Sequence, residues 1–296
     1  MYRSLFSLLL VVAVTQSTLV AQTWQSLPDN VPAPSANLQM PEKVELGKKL
    51  FFDPRLSLTG TVSCNSCHNI MEGGDDGRPT SMGINGLTGE RNAPTVWNAG
   101  FQASQFWDGR VASLEDQSKG PIVAAPEMGM PNHEFALERI RQVPGYKQEF
   151  QQVFGTFDSI KIDHVAEAIA AFERTLITPG SRFDDFVEGD ASALSAEAQQ
   201  GMRLFDEIGC TECHSGPAFN GWTSQDEAPE FVEFPRFDSS HVEMYELKKD
   251  RGRFEQQVQQ LIAFLSSLEG PFPEITLPRI PSNPGASIIS ESNSAP

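Results

Sequence analysis

Residues 208–219 read IGCTECHSGPAF, and residues 63–69 read SCNSCHN. Each contains the pattern Cys-x-x-Cys-His, and the two copies use all four cysteines of the chain. Two thiols three positions apart on one helical turn reach both vinyl groups of a haem and form thioethers, and the adjacent histidine then faces the iron. A structural zinc site would want two further Cys or His ligands per pair at finger-like spacing, and the sequence holds none. A redox disulfide of this spacing belongs in a thioredoxin-like βαβ setting, which is absent here. The pairs predict two covalently attached haem c groups. Cys64 and Cys67 hold one, with His68 on its iron; Cys210 and Cys213 hold the other, with His214 on its iron.

The surroundings of the motifs also repeat. ELGKKLFFDP (45–54) precedes the first motif and QQGMRLFDEIG (199–209) the second, so that Gly47, Leu50 and Phe51 align with Gly201, Leu204 and Phe205. Their apolar spacing suits a helix packed against later parts of the same half. Each half closes on a related helix, AEAIAAFERTL (166–176) and VQQLIAFLSSL (258–268), in which Phe172 matches Phe264. Strand signals are sparse. The expected fold is mostly α, with two haem-bearing units. Residues 22–177 form the first unit, 178–194 a linker, 195–270 a shorter second unit and 271–296 a proline-rich, extended or disordered tail. Ser195 is a good N-cap for the helix that opens the second unit. The glycine-rich run GGDDGRPTSMGINGLTG (73–89) reads as a long loop of the kind that often carries function.

Bulk composition narrows the partners. The formal charge of the 296 residues is −17, which argues against a nucleic-acid partner and is compatible with a positively charged protein partner. The first 21 residues carry Arg3 and an apolar run from Leu5 to Val14, ahead of small residues that end at Ala21. The run is too short to span a bilayer comfortably and reads as a cleaved secretory signal, giving an exported protein without stable membrane insertion.

The runs LGKKLFFDPRLS (46–57), RNAPTVWNAGFQASQFWDGR (91–110), LEDQSKGPI (114–122) and AFERTLITPGSRFD (171–184), with the two haem motifs, resemble the bacterial dihaem cytochrome c peroxidases, to which the MauG-type enzymes are related. The resemblance is dense from Leu46 to about Gly221. It implies two cytochrome-c-like domains and a periplasmic enzyme that reduces hydrogen peroxide to water. The electrons would come from a small c-type cytochrome or cupredoxin, and family members are often homodimers. By position, His68 belongs to the peroxidatic haem and His214 to the electron-entry haem. Trp107 matches the tryptophan between the haems, Glu127 the acid of the peroxide pocket, Gln117 its neighbour and Asn92 a ligand of the interdomain calcium. A glutamate suits the pocket because heterolysis of an O–O bond needs a group that carries a proton from the inner to the outer oxygen. His133 and His164 read as surface or capping residues rather than iron ligands.

Two departures from the family stand out. Ile84 occupies the loop position where some members place a histidine that caps the resting peroxidatic iron, so the first iron is expected to be five-coordinate and open. From His68 to Phe172 there are 104 positions, but from His214 to Phe264 only 50. The family's late methionine ligand and calcium-binding carbonyls fall in the missing stretch. That removes most of the support for calcium at Asn92. Met244 and His241 are the nearby candidates for the second iron's other face, with an open or water-bound iron as the alternative. A dihaem electron-transfer or haem-sensing protein without peroxidase turnover is the competing reading.

Overall fold

The computed structural model describes residues 24–155, 158–212, 214–220 and 251–282. The expectations for residues 1–21, Cys213, His241, Met244 and the tail beyond residue 282 lie outside them. The described chain is helical: α1 (Pro41–Phe52), α2 (Cys64–Cys67), α3 (Leu114–Val123), α4 (His133–Arg141), α5 (Pro144–Phe154), α6 (Ile162–Glu173), α7 (Arg182–Val187), α8 (Ala196–Glu207) and α9 (Arg251–Ser266). Extended pairing among the described residues is limited to three isolated bridges.

The internal repeat becomes a repeated helix pair. Helix α1 crosses α6 so closely at Gly47 that a Cβ there would lie 1.7 Å from the carbonyl oxygen of Ala168. Helix α8 crosses α9 in the same way, a Cβ on Gly201 falling 1.9 Å from the oxygen of Gln260. Beside each crossing an aromatic pair meets edge-on. Phe51 and Phe172 have ring centroids 5.3 Å apart, and Phe205 and Phe264 5.4 Å apart. Each glycine allows the backbone approach, and each phenylalanine pair fills the space beside it.

Two hydrophobic cores form around these pairs. The first gathers Leu46, Leu50 and Phe51 of α1, Tyr146 and Phe150 of α5, and Ile169 and Phe172 of α6. Beneath it, Tyr146 donates a 2.6 Å hydrogen bond to the buried Asp53, which also pairs with Arg55. The second core contains Phe183, Met202, Phe205 and Phe264. The stretch expected as linker holds α7, whose N-terminus is closed by a capping box between Ser181 and Asp184. Phe183 then points into the second core. Ser195 accepts from the Ala198 amide at the start of α8.

The terminal segments cross between the cores. Trp24 lies in the second core, within 5.7–6.4 Å of the rings of Phe183, Phe205, Phe219 and Phe264. Residues 270–282 run without helix or strand, yet they are not a loose tail. Phe272 meets Trp97, Ile275 packs on the first core, and Lys48 Nζ donates to Thr276 Oγ1 at 3.3 Å.

Candidate functional site: a haem cavity lined by the first motif

Helix α2 is a single turn built from the first motif, capped by Ser63 and Ser66, which bond each other's backbone amides. The turn closes when the His68 amide donates to the Cys64 carbonyl at 2.9 Å. In the second motif the His214 amide makes the same bond to the Cys210 carbonyl, at 2.8 Å. Both imidazoles are oriented alike. His68 Nδ1 lies 2.9 Å from the Pro94 carbonyl and His214 Nδ1 lies 3.0 Å from that of Phe219. Such a bond places the proton on Nδ1 and leaves Nε2 bare for a metal. Surrounding protein lowers the His68 pKa, against the pull of the Pro94 and Gly74 carbonyls and of Asp76 and Asp75, which favours the neutral ring that ligation requires.

Cys64, Cys67 and His68 open onto a cavity of about 320 Å³. Its apolar wall includes Val62, Val96, Met128 and Ile169. Gln117, Glu127, Trp107 and Asn92 line the same cavity. The structure thus brings together every candidate residue of the first half, although they come from separate segments of the chain. Helix α3 supplies Gln117. Just after it the chain turns back, the Met128 and Met130 amides donating to Pro121 and Ile122 of α3, and this places Glu127 on the cavity. Burial raises the Glu127 pKa, and Arg110 opposes the shift. Trp107 is 52% exposed at the rim, and its indole N–H donates to the Asn92 carbonyl at 3.0 Å. Arg110, on the same short loop, stacks over Phe106 at 3.4 Å and pairs with Asp108, which also holds Arg91.

The cavity fits a haem. The thiols and the imidazole project into it from one turn, its volume lies in the range of cofactor pockets (roughly 300–1,000 Å³), and one polar atom of its wall is unmatched. Glu173 Oε2 is buried without a hydrogen-bond partner among the described residues, as happens where a bound group completes a lining. Burial pushes the Glu173 pKa up to about 8, against the charge of Arg174. Burial also raises the pKa of both cavity thiols, Cys67 to about 11.

Ile84 is buried in the first core rather than on the cavity, and its amide donates to the Glu127 carbonyl at 2.8 Å. The glycine-rich loop is thereby fastened to the turn that carries Glu127. His133 and His164 stand apart from the cavity, bonded to the carbonyls of Lys119 and Ser159. Among the described residues no group of three or more His, Cys, Asp or Glu side chains is disposed to hold a metal ion. Reading the sequence missed Arg110 and Glu173 as cavity residues. The signal for Glu173 was a carboxylate on the otherwise apolar buried stripe of α6.

The family model for di-haem cytochrome c peroxidase matches residues 41–192. The chain is 48% identical over 184 residues to cytochrome c551 peroxidase of Nitrosomonas europaea, covering 62% of this chain and 54% of that one. It is 44% identical over 189 residues to the methylamine utilization protein MauG of Methylorubrum extorquens, covering 64% and 53%. The chain spans about half the length of the curated relatives it matches. Among solved structures, a MauG-like protein associated with microbial copper homeostasis superposes with a TM-score of 0.60 at 32% identity, covering 69% of this chain and 62% of that one. A helical chain with a repeated helix pair, two Cys-x-x-Cys-His motifs and this family match belongs to the di-haem cytochrome c peroxidase family.

Proposed function

We propose that this protein is a periplasmic dihaem peroxidase that reduces hydrogen peroxide to water with electrons from a small c-type cytochrome or cupredoxin. The observation that carries the reading is the convergence of Cys64, Cys67, His68, Gln117, Glu127 and Trp107 on one cavity. A haem held there would supply the redox iron at which peroxide is reduced and the electrons for that reduction. Cys64 and Cys67 anchor it covalently, and His68 is held ready for the iron by Pro94. Glu127 takes a proton from the inner peroxide oxygen and delivers it to the outer one, so that water leaves. Gln117 orients the bound oxygens beside it. Trp107 stands at the rim, where an electron would pass from the second haem. Cys210, Cys213 and His214 hold that second, electron-entry haem. Residues 22–177 and 195–270 form the two haem domains in this reading. Ile84 cannot ligate iron and is fastened away from the cavity, so it would not cap an iron held by His68. No helix among the described residues is long and apolar enough to cross a membrane.

The test is peroxide turnover with a reduced c-type cytochrome as donor, measured with haem per chain and a spectrum of the oxidised protein. The expected result is two haems, a high-spin first iron, turnover without prior reduction, and loss of at least about 100-fold in kcat for Glu127→Gln. Two haems without turnover would select the electron-transfer reading instead. Full turnover by Glu127→Gln would remove Glu127 from its acid–base role.

A further inference from the structure

The joint between the two halves lies directly behind the carbonyl that orients His68. Pro94, whose oxygen faces His68 Nδ1, opens the segment 94–98. From inside the first half this segment is held by the turn after α2: the Val96 amide donates to Gly74, and Thr95 Oγ1 donates to Gly73 at 2.6 Å. Its other side is held by residues that lead to and from the second half. Asn98 and Thr178 form a reciprocal pair, Asn98 Nδ2 donating to Thr178 Oγ1 at 2.9 Å and the Thr178 amide donating to Asn98 Oδ1 at 3.0 Å. Gly270, where the chain leaves the second half, presses on Thr178 so tightly that a Cβ would sit 2.0 Å from its carbonyl oxygen. Two residues later the Phe272 ring meets Trp97 edge-on, with centroids 4.9 Å apart. The buried indole N–H of Trp97 has no hydrogen-bond partner among the described residues. Among the described residues packing alone locates that ring, and Phe272 is an aromatic contact to it from the far half.

We infer that Phe272 and Asn98 are positioning residues for His68, which carry the seating of the second half through segment 94–98 to the hydrogen bond at His68 Nδ1. A short N–H···O=C bond makes the imidazole a stronger electron donor and stabilises the oxidised iron. If Phe272 is truncated, Trp97 loses its edge contact, segment 94–98 relaxes and the Pro94 bond lengthens. The first iron then becomes easier to reduce. The mechanism needs a haem on His68 but no peroxide turnover, so it stands or falls separately from the peroxidase reading.

The experiment uses the full chain with both haems attached and compares Phe272→Ala, Phe272→Tyr and Asn98→Ala with the parent. Leu277→Ala, a variant on the same segment whose side chain is exposed, is the control. Two quantities are read for the first haem: its potential in a spectroelectrochemical titration and its iron–histidine stretching frequency in the reduced state. Phe272→Ala and Asn98→Ala should raise the potential and lower the frequency. Phe272→Tyr should restore both, and Leu277→Ala should change neither. Should Phe272→Ala not accumulate as holoprotein, Phe272→Leu is measured in its place with the same expectations. Unmoved potential and frequency in the Phe272 truncation, whatever its melting temperature, overturn the inference. So does an equal shift in Leu277→Ala, because the route would then be the whole segment and not the Trp97 contact.

Discussion

Glu173 and Glu127 are two carboxyls on one cavity, and their environments push them apart in role. Glu173 is buried beside Cys64, one oxygen is unmatched among the described residues, and burial pushes its pKa up to about 8 from the ordinary 4.5. Between those values the folded protein keeps a proton that the unfolded chain has released. Its contribution to stability is therefore complete below about pH 4.5 and declines as pH rises through 8, by at most about 1.4 kcal/mol per pH unit. Glu173→Gln, which cannot ionise, should flatten that decline in a series of guanidinium unfolding curves from pH 5 to 8. An unchanged slope would assign the pH dependence to other groups. Glu127 is only half-buried, and Arg110 is the charge that opposes its upward shift. Removing the guanidinium leaves burial unopposed and raises the Glu127 pKa further. In the proposed reaction, where the carboxylate accepts the first proton, Arg110→Ala should move the acid limb of the kcat/KM–pH profile to higher pH, and Arg110→Lys should move it less. A shift to lower pH would contradict the assignment.

At the scale of the helix, Gly47 and Gly201 do the same work in the two halves, and substitution should show it. Gly47→Ala inserts a methyl group into the Ala168 carbonyl, and Gly201→Ala inserts one into that of Gln260. Backbone cannot yield as a side chain can, so each change should cost about 3 kcal/mol despite the better helix propensity of alanine. Calorimetry checks this: both variants should melt lower than the parent, whereas propensity alone would make them melt higher. The repeat was legible in the sequence because a glycine and a phenylalanine at fixed spacing are the residues that a close helix crossing demands. Helix α7 was not legible, because its six residues are too few for apolar periodicity and only the Ser181–Asp184 box marks them. The cavity was legible in parts. Spacing alone identifies Cys64, Cys67 and His68, but nothing local announces that Gln117, Trp107 and Glu127 meet them. That convergence depends on the return of the chain along α3, and only the family resemblance pointed to it.

At the scale of the molecule, sequence order and packing order disagree at both ends of the described chain. Trp24 precedes every element of the first half, yet its indole is surrounded by four phenylalanines of the second core. The Leu27 amide ties the same segment to Asp184 of α7 at 2.8 Å. Residues 270–282 make the opposite crossing, from α9 back to Trp97, Lys48 and Gly145 of the first half. Each core is therefore completed by a segment that is remote in sequence, and a change near one terminus should be felt in the other half. Trp24→Ala removes a large buried ring from a core of few residues, a loss of about 3–5 kcal/mol. Hydrogen exchange detected by mass spectrometry separates the halves. In the variant, amides of α7, α8 and α9 should exchange faster, while those of α1 and α6 keep their protection. Because Phe205 and Phe219 flank His214 as well as Trp24, the absorption of the second haem should change along with α8. Faster exchange confined to α1 and α6 would mean that the N-terminal segment serves the first core after all.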